Sequence, residues 1–184
     1  MTTQSRFASP SSAVPGSTRS PVFTKTFAKA VLFVTAIAGT LDIIAAHLHI
    51  WAKSGTFPAT LFKSIAGGAL GITRAKQGGA EMMALGAFFH YFISFSFTLF
   101  FFLLFPRMAL LRKNRYAVGA AYAMFVWAVM NYVVLPLSAL QVHPRPPDLT
   151  SVHTYIGWSV LILIFGIPIV IGTASYYKSA QRRT

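Results

Sequence analysis

Residues 39–51 read GTLDIIAAHLHIW, and they lie inside a longer apolar run, 29–52. A soluble protein would bury such a run in its core, whereas a membrane protein would cross the bilayer with it. The run also carries Asp42, His47 and His49. A carboxylate at the centre of a transmembrane helix costs on the order of 3 kcal/mol on insertion scales, so its position marks a candidate functional site. Composition decides between the two readings. Of 184 residues, 55% are apolar and 15% aromatic, and the mean hydropathy is +0.60. These values are too apolar for a soluble fold of this size and place the chain among integral membrane proteins.

Working outward from 29–52, three more apolar runs are each long enough, at ~20 residues, to cross about 30 Å of hydrocarbon: 81–105, 116–140 and 153–176. The expected fold is all-α, an integral membrane four-helix bundle. Between the first two runs, FPATLFKSIAGGALGI at 57–72 is apolar but short and contains Lys63. It reads as an interfacial or re-entrant helix opened by Thr56 and Pro58. The four-span domain then covers 25–177. Ahead of it, 1–24 is rich in Ser, Thr and Pro, contains no acid, and reads as a disordered cytoplasmic tail. Residues 178–184 form a basic cytoplasmic tail.

The charge balance, 16 Lys and Arg against 3 Asp and Glu, would suit a nucleic-acid binder. The cations instead sit in the gaps between apolar runs, so no nucleic acid is expected and the bilayer is the expected partner. One side of the four-span arrangement collects Arg6, Arg19, Lys25, Lys29, Arg107, Arg112, Lys113, Arg115, Lys178, Arg182 and Arg183. The other holds Lys53, Lys63, Arg74, Lys76 and Arg145. This asymmetry places both termini in the cytoplasm, and Trp51, Tyr116, Trp158, Tyr176 and Tyr177 lie near span ends as an aromatic belt would.

All three acids and all five histidines then fall in the outer half. Asp42 lies ~14 Å below the outer end of the first helix at about 1.5 Å per residue. His90 and Asn131 come to a similar depth on the second and third. Glu81 and His153 open their helices at the outer surface, and His49 is near the outer end of the first. At 100° per residue Asp42 shares a face with Thr35, Ala38, Gly39, Ala45, Ala46 and His49, a stripe of small residues that allows close helix approach. His90 aligns with Met83, Gly86, Ala87 and Ser94, and Asn131 with Ala117, Ala120, Met124, Trp127, Ala128 and Ser138. His47 is about 140° from Asp42 and need not join.

Asp42, His49, Glu81, His90, Asn131 and His153 are therefore the candidate lining of a polar pocket open to the outer side, suited to protons, cations or a small ligand. A buried structural pair, with the Asp42 carboxylate accepting from the His90 imidazole, explains the same residues without chemistry. No Cys is present, and no H-x-x-x-H or H-E-x-x-H spacing occurs on any helix. The alternative function class is a redox or assembly factor holding haem, quinone or a metal through His49, His90, His153 and Asp42. No hydrolase elbow, Walker loop or dinucleotide fingerprint is present, which weighs against an enzyme. Four helices enclose little room, so a homo-oligomer or a larger membrane complex is a natural setting.

The stretches GTLDIIAAHLHIW, FKSIAGGALG, KQGGAEMMALGAFFHYFISF and FVWAVMNYVVLPLS, with FGIPI in the last helix, resemble an uncharacterised family of small four-span bacterial inner-membrane proteins, over about residues 32–172. The resemblance implies the bacterial cytoplasmic membrane and brings no activity to any position. An acid-free, Arg- and Ser-containing start keeps a mitochondrial inner membrane as the alternative location.

Overall fold

The computed structural model describes residues 25–182, so the tail expected at 1–24 lies outside the described residues. Four helices are long and apolar enough to cross a membrane. They are α1 (Lys25–Ser54), α4 (Ala80–Leu104, extended by a 3-10 turn to Arg107), α5 (Arg115–Leu137) and α6 (Val152–Gln181). Two short helices, α2 (Leu61–Leu70) and α3 (Ile72–Gln77), stand where one short helix was expected between the first two spans. No strand occurs among the described residues. The chain is a helical membrane bundle of the expected class.

Local chemistry sets the element ends. Asn114 caps α5, its Oδ1 accepting from the Tyr116 and Ala117 backbone N–H groups at 3.0 and 3.1 Å, which satisfies donors a helix start leaves free. Gly71 takes a φ of +86°, open to glycine, and there the chain breaks between α2 and α3. The Lys63 ammonium donates to the Gly78 carbonyl at 2.6 Å, closing the end of α3. Lys63 is thus drawn out of the apolar face of its short helix.

Two spans depart from a regular α-helix, and a proline accounts for each. Met130–Val134 in α5 and Ile162–Gly166 in α6 are π-turns. Leu135 N–H donates to the Met130 carbonyl and Ile167 N–H to the Ile162 carbonyl, five residues back instead of four. The next residues are Pro136 and Pro168, which lack an N–H and whose rings would clash with the carbonyl four residues back. A widened turn removes both problems. The third span consequently ends at Leu137 and not at 140, and Ser138 leaves the helix, its hydroxyl turned onto the Leu135 carbonyl at 2.7 Å. The helical phase that aligned Ser138 with Asn131 does not hold beyond Met130.

Helix α6 packs against α1, α4 and α5, and α1 also packs against α4. The dense core lies toward the end that carries Lys25, Arg107, Arg115 and Lys178. Phe27 and Val31 of α1, Phe101 and Phe102 of α4, Tyr122 of α5 and Ile169 of α6 are buried there. Tyr177 donates from its hydroxyl to the Phe102 carbonyl at 2.9 Å, pinning α6 to α4. At the opposite end the packing loosens. No residue of 152–161 in α6, and none beyond Val129 in α5, is buried.

Helix α2 lies on the first turns of α4 at this looser end. A Cβ at Gly86 would collide with the Phe62 carbonyl and its carbon, so α2 backbone rests directly on α4 backbone where glycine alone fits. Ala139 N–H donates to the Gly68 carbonyl at 2.8 Å and ties the end of α5 to the same short helix. In this way α2 bridges two spans.

Candidate functional site

The small-residue face of α1 is where α4 approaches. Thr35, Ala38 and Gly39 are buried, and the Gly39 Cα faces the Ser94 hydroxyl and the Tyr91 ring. Two hydrogen bonds clamp the seam. His90 donates from Nε2 to the Gly39 carbonyl at 2.8 Å, and the Thr40 and Tyr91 hydroxyls meet at 2.8 Å.

The first of these corrects an expectation. His90 hydrogen-bonds main chain and not the Asp42 carboxylate, since the missing side chain at Gly39 leaves that carbonyl open to the ring, yet the imidazole stays close enough for the two groups to interact electrostatically. Asn131 donates from Nδ2 to the Trp127 carbonyl of its own helix at 2.8 Å and makes no hydrogen bond to Asp42. Among the described residues nothing hydrogen-bonds the Asp42 carboxylate.

The loosened end of the bundle holds two partly open cavities, and Asp42 lines both. The inner one, about 300 Å³, lies between the four spans beneath α2, with Leu61 and Ile65 of α2 in its wall. Its polar lining is Asp42, His90, Ser94 and Asn131. The outer one, about 350 Å³, is bordered by Asp42, His49, His153, Trp127 and Trp158. The His49 and His153 rings stand edge to face with centroids 6.1 Å apart. Trp127 and Trp158 pack the same way at 5.4 Å, and the Trp158 indole N–H is buried without an acceptor. Five of the six candidate residues therefore come together around these cavities.

Glu81 is the exception and is corrected. It lines neither cavity; exposed at the start of α4, its carboxylate accepts from the Gly79 N–H at 2.7 Å. A local turn of chain supplies its partner. His47 stays apart as its phase required, donating from Nδ1 to the Ile43 carbonyl at 2.8 Å and packing near Phe57 and Phe62.

The inner cavity is rich in acceptors. His90, committed through Nε2–H to Gly39, keeps a lone pair on Nδ1 when neutral. Asn131 keeps its Oδ1 and Asp42 all of its carboxylate lone pairs, against two donors in the same lining, the second Asn131 N–H and the Ser94 hydroxyl. Such a lining favours a proton or a cation over an anion, since each further anionic group would add an unpartnered acceptor. For a metal, the arrangement offers less: among the described residues no three His, Asp or Glu side chains gather closely enough to hold one.

Sequence reasoning overlooked a second polar set. Thr35, Thr98 and Thr173, from α1, α4 and α6, are buried, and their hydroxyls have no hydrogen-bond partner. Thr98 sits in a Phe-rich run and Thr173 beside apolar residues, so their types gave no signal. The α4–α6 register set by Tyr177 on Phe102 places Thr98 and Thr173 at one level, four residues from that bond on each helix. No protein-family model, no curated protein and no solved structure matches the chain.

Proposed function

We propose that this chain is a non-enzymatic multi-pass membrane protein that takes up a proton or a small cation at Asp42. The observation that carries the reading is the placement of a carboxylate with no hydrogen bond in the shared wall of two cavities, faced by His90 of α4 and Asn131 of α5. A purely structural carboxylate would be expected to take a donor, and His90, Asn131 and Trp158, which line the same cavities, each carry one. The more basic end of the bundle corresponds to the cytoplasmic side by the positive-inside rule. The cavities then lie in the half of the bundle away from the cytoplasm, and the family resemblance supports a bacterial inner membrane.

The test is carbodiimide labelling in native membranes. Hydrophobic carbodiimides modify protonated carboxyl groups that lipid-soluble reagents reach. Asp42 is expected to be labelled, with labelling falling as pH rises and absent in Asp42→Asn. Suppression by Na⁺ or K⁺ at fixed pH identifies a cation site, and insensitivity to both identifies a proton site. Failure to label Asp42 at any pH refutes the reading.

The approach of His49 and His153 favours a second reading, a redox or assembly factor that holds haem, quinone or a metal in the outer cavity. An absorbance spectrum of the purified protein, with the same spectrum for His49→Ala, distinguishes the two.

A further inference from the structure

Helices α4 and α5 are consecutive, yet at the basic end they meet through side chains and not through close backbone packing. Tyr122 of α5 reaches across to donate to the Phe97 carbonyl at 2.5 Å, and its ring lies 4.6 Å from that of Phe101. These aromatic rings hold the helices apart and leave a groove of about 460 Å³ that is apolar throughout its depth. Ala117 and Ala121 keep its α5 wall low. At the deep end the stacked rings of Phe100 and Phe125, 5.8 Å apart, close it. Its other end is bordered by Lys113. From Lys113 to Phe125 the groove spans about 18 Å at 1.5 Å per residue, the length of a fatty acyl chain.

The charge at its mouth is one-sided. Lys113, which lines the groove's end, and Arg115, two residues on, are exposed, and their side chains have no hydrogen-bond or ion-pair partner among the described residues. Arg107 and Arg112 stand nearby, donating to the Leu103 and Pro106 carbonyls. The three acids of the chain all lie elsewhere, two near the opposite end and Asp42 between the spans. We propose that the α4–α5 groove is a binding site for one anionic phospholipid, with an acyl chain along Ala117 and Ala121 and the phosphate between Lys113 and Arg115. An apolar slot ending in unpaired cations matches an anionic headgroup on a hydrocarbon tail, as basic pockets between spans do generally. A second copy paired through the same face would bring the same cations to this mouth and so meet like charge.

The full chain, equilibrated with equal parts phosphatidylglycerol and phosphatidylcholine, is released from micelles in a native mass spectrometer and its retained lipids are counted. One phosphatidylglycerol per chain is expected. Lys113→Gln and Arg115→Gln should each lower its preference over phosphatidylcholine about fivefold, and Ala121→Trp, at an exposed groove position, should abolish retention by filling the slot. Helical circular dichroism confirms that each variant is folded. Equal retention of the two lipids by the wild type, or undiminished retention by a folded Ala121→Trp, overturns the proposal. So does a wild-type dimer that Ala121→Trp converts to monomer, which would make a second copy the occupant.

Discussion

Replacing Gly86 with Ala should destabilise the bundle and open the inner cavity, although alanine is the better helix former. The favourable part is helix propensity, roughly 1 kcal/mol per Gly→Ala exchange. Against it stands the Phe62 carbonyl, which occupies the place of the new Cβ. Backbone cannot rotate aside as a side chain can, so α2 must move, and overpacking of this kind costs about 1–3 kcal/mol. Gly157 serves as the control, because a Cβ there meets nothing nearer than His49 Cε1 at 4.0 Å. Gly157→Ala should therefore gain the propensity term alone. The difference between the two variants cancels propensity and isolates the clash, about 1–3 kcal/mol. Reversible unfolding in mixed micelles measures it. A cysteine at Ile65, which lines the inner cavity, should react faster with a water-soluble thiol reagent in the Gly86→Ala background. Equal stability of Gly86→Ala and Gly157→Ala would show that α2 does not rest on α4, and the description of the inner cavity as roofed by α2 would fall with it.

Two further outcomes are expected. Thr98→Val and Thr173→Val keep shape while removing buried hydroxyls that lack partners, so thermal melting in detergent should show each variant stabilised by about 1–3 kcal/mol; destabilisation would reveal that the hydroxyls hold a water or an ion between the helices. Asp148, in the loop before α6, accepts from the Thr150 hydroxyl and backbone N–H at 2.6 and 2.9 Å, and these bonds hold its carboxyl below the usual range. The stabilisation is complete above the ordinary carboxylate pKa of about 4 and is lost as pH falls through the depressed folded value. The wild type should therefore melt above Asp148→Asn at pH 6 and converge with it in strong acid, and a constant difference across that range would exclude the loop as its source.

What was legible in the sequence followed from hydropathy and helical phase. Four runs of apolar residues announced four spans, and the stripe around Asp42 announced the seam that α4 fills, because both signals are carried by side-chain type. Partners supplied by main chain carry no such signal. His90 found the Gly39 carbonyl, Asn131 the Trp127 carbonyl and Glu81 the Gly79 N–H, and each of these peptide groups looks alike in any sequence. The π-turns were within reach, since LP at 135–136 and IP at 167–168 stand inside apolar runs. A proline within a span requires either a kink or a widened turn; the choice between them rests on packing that the runs do not reveal.

Those two prolines also bear on why the cavities lie where they do. Both π-turns sit between the dense half of the bundle and the loose half, at 130–134 and 162–166. A π-turn adds a residue to the helix and rotates everything beyond it by about 100° relative to the original face. In α5 the buried residues end with Val126, and in α6 they begin with Phe165. Along both helices, then, the face that packs the aromatic core is turned away once the widened turn is passed. Lost contact on α5 and α6 leaves α1, which has no such turn, presenting Asp42 to space on two sides. The carboxylate with no hydrogen bond and the pair of cavities are, on this account, one consequence of two prolines. Replacing Pro136 and Pro168 together with Ala should let regular helix return and narrow both cavities at once, and carbodiimide labelling of Asp42 as fast as in the wild type would refute it.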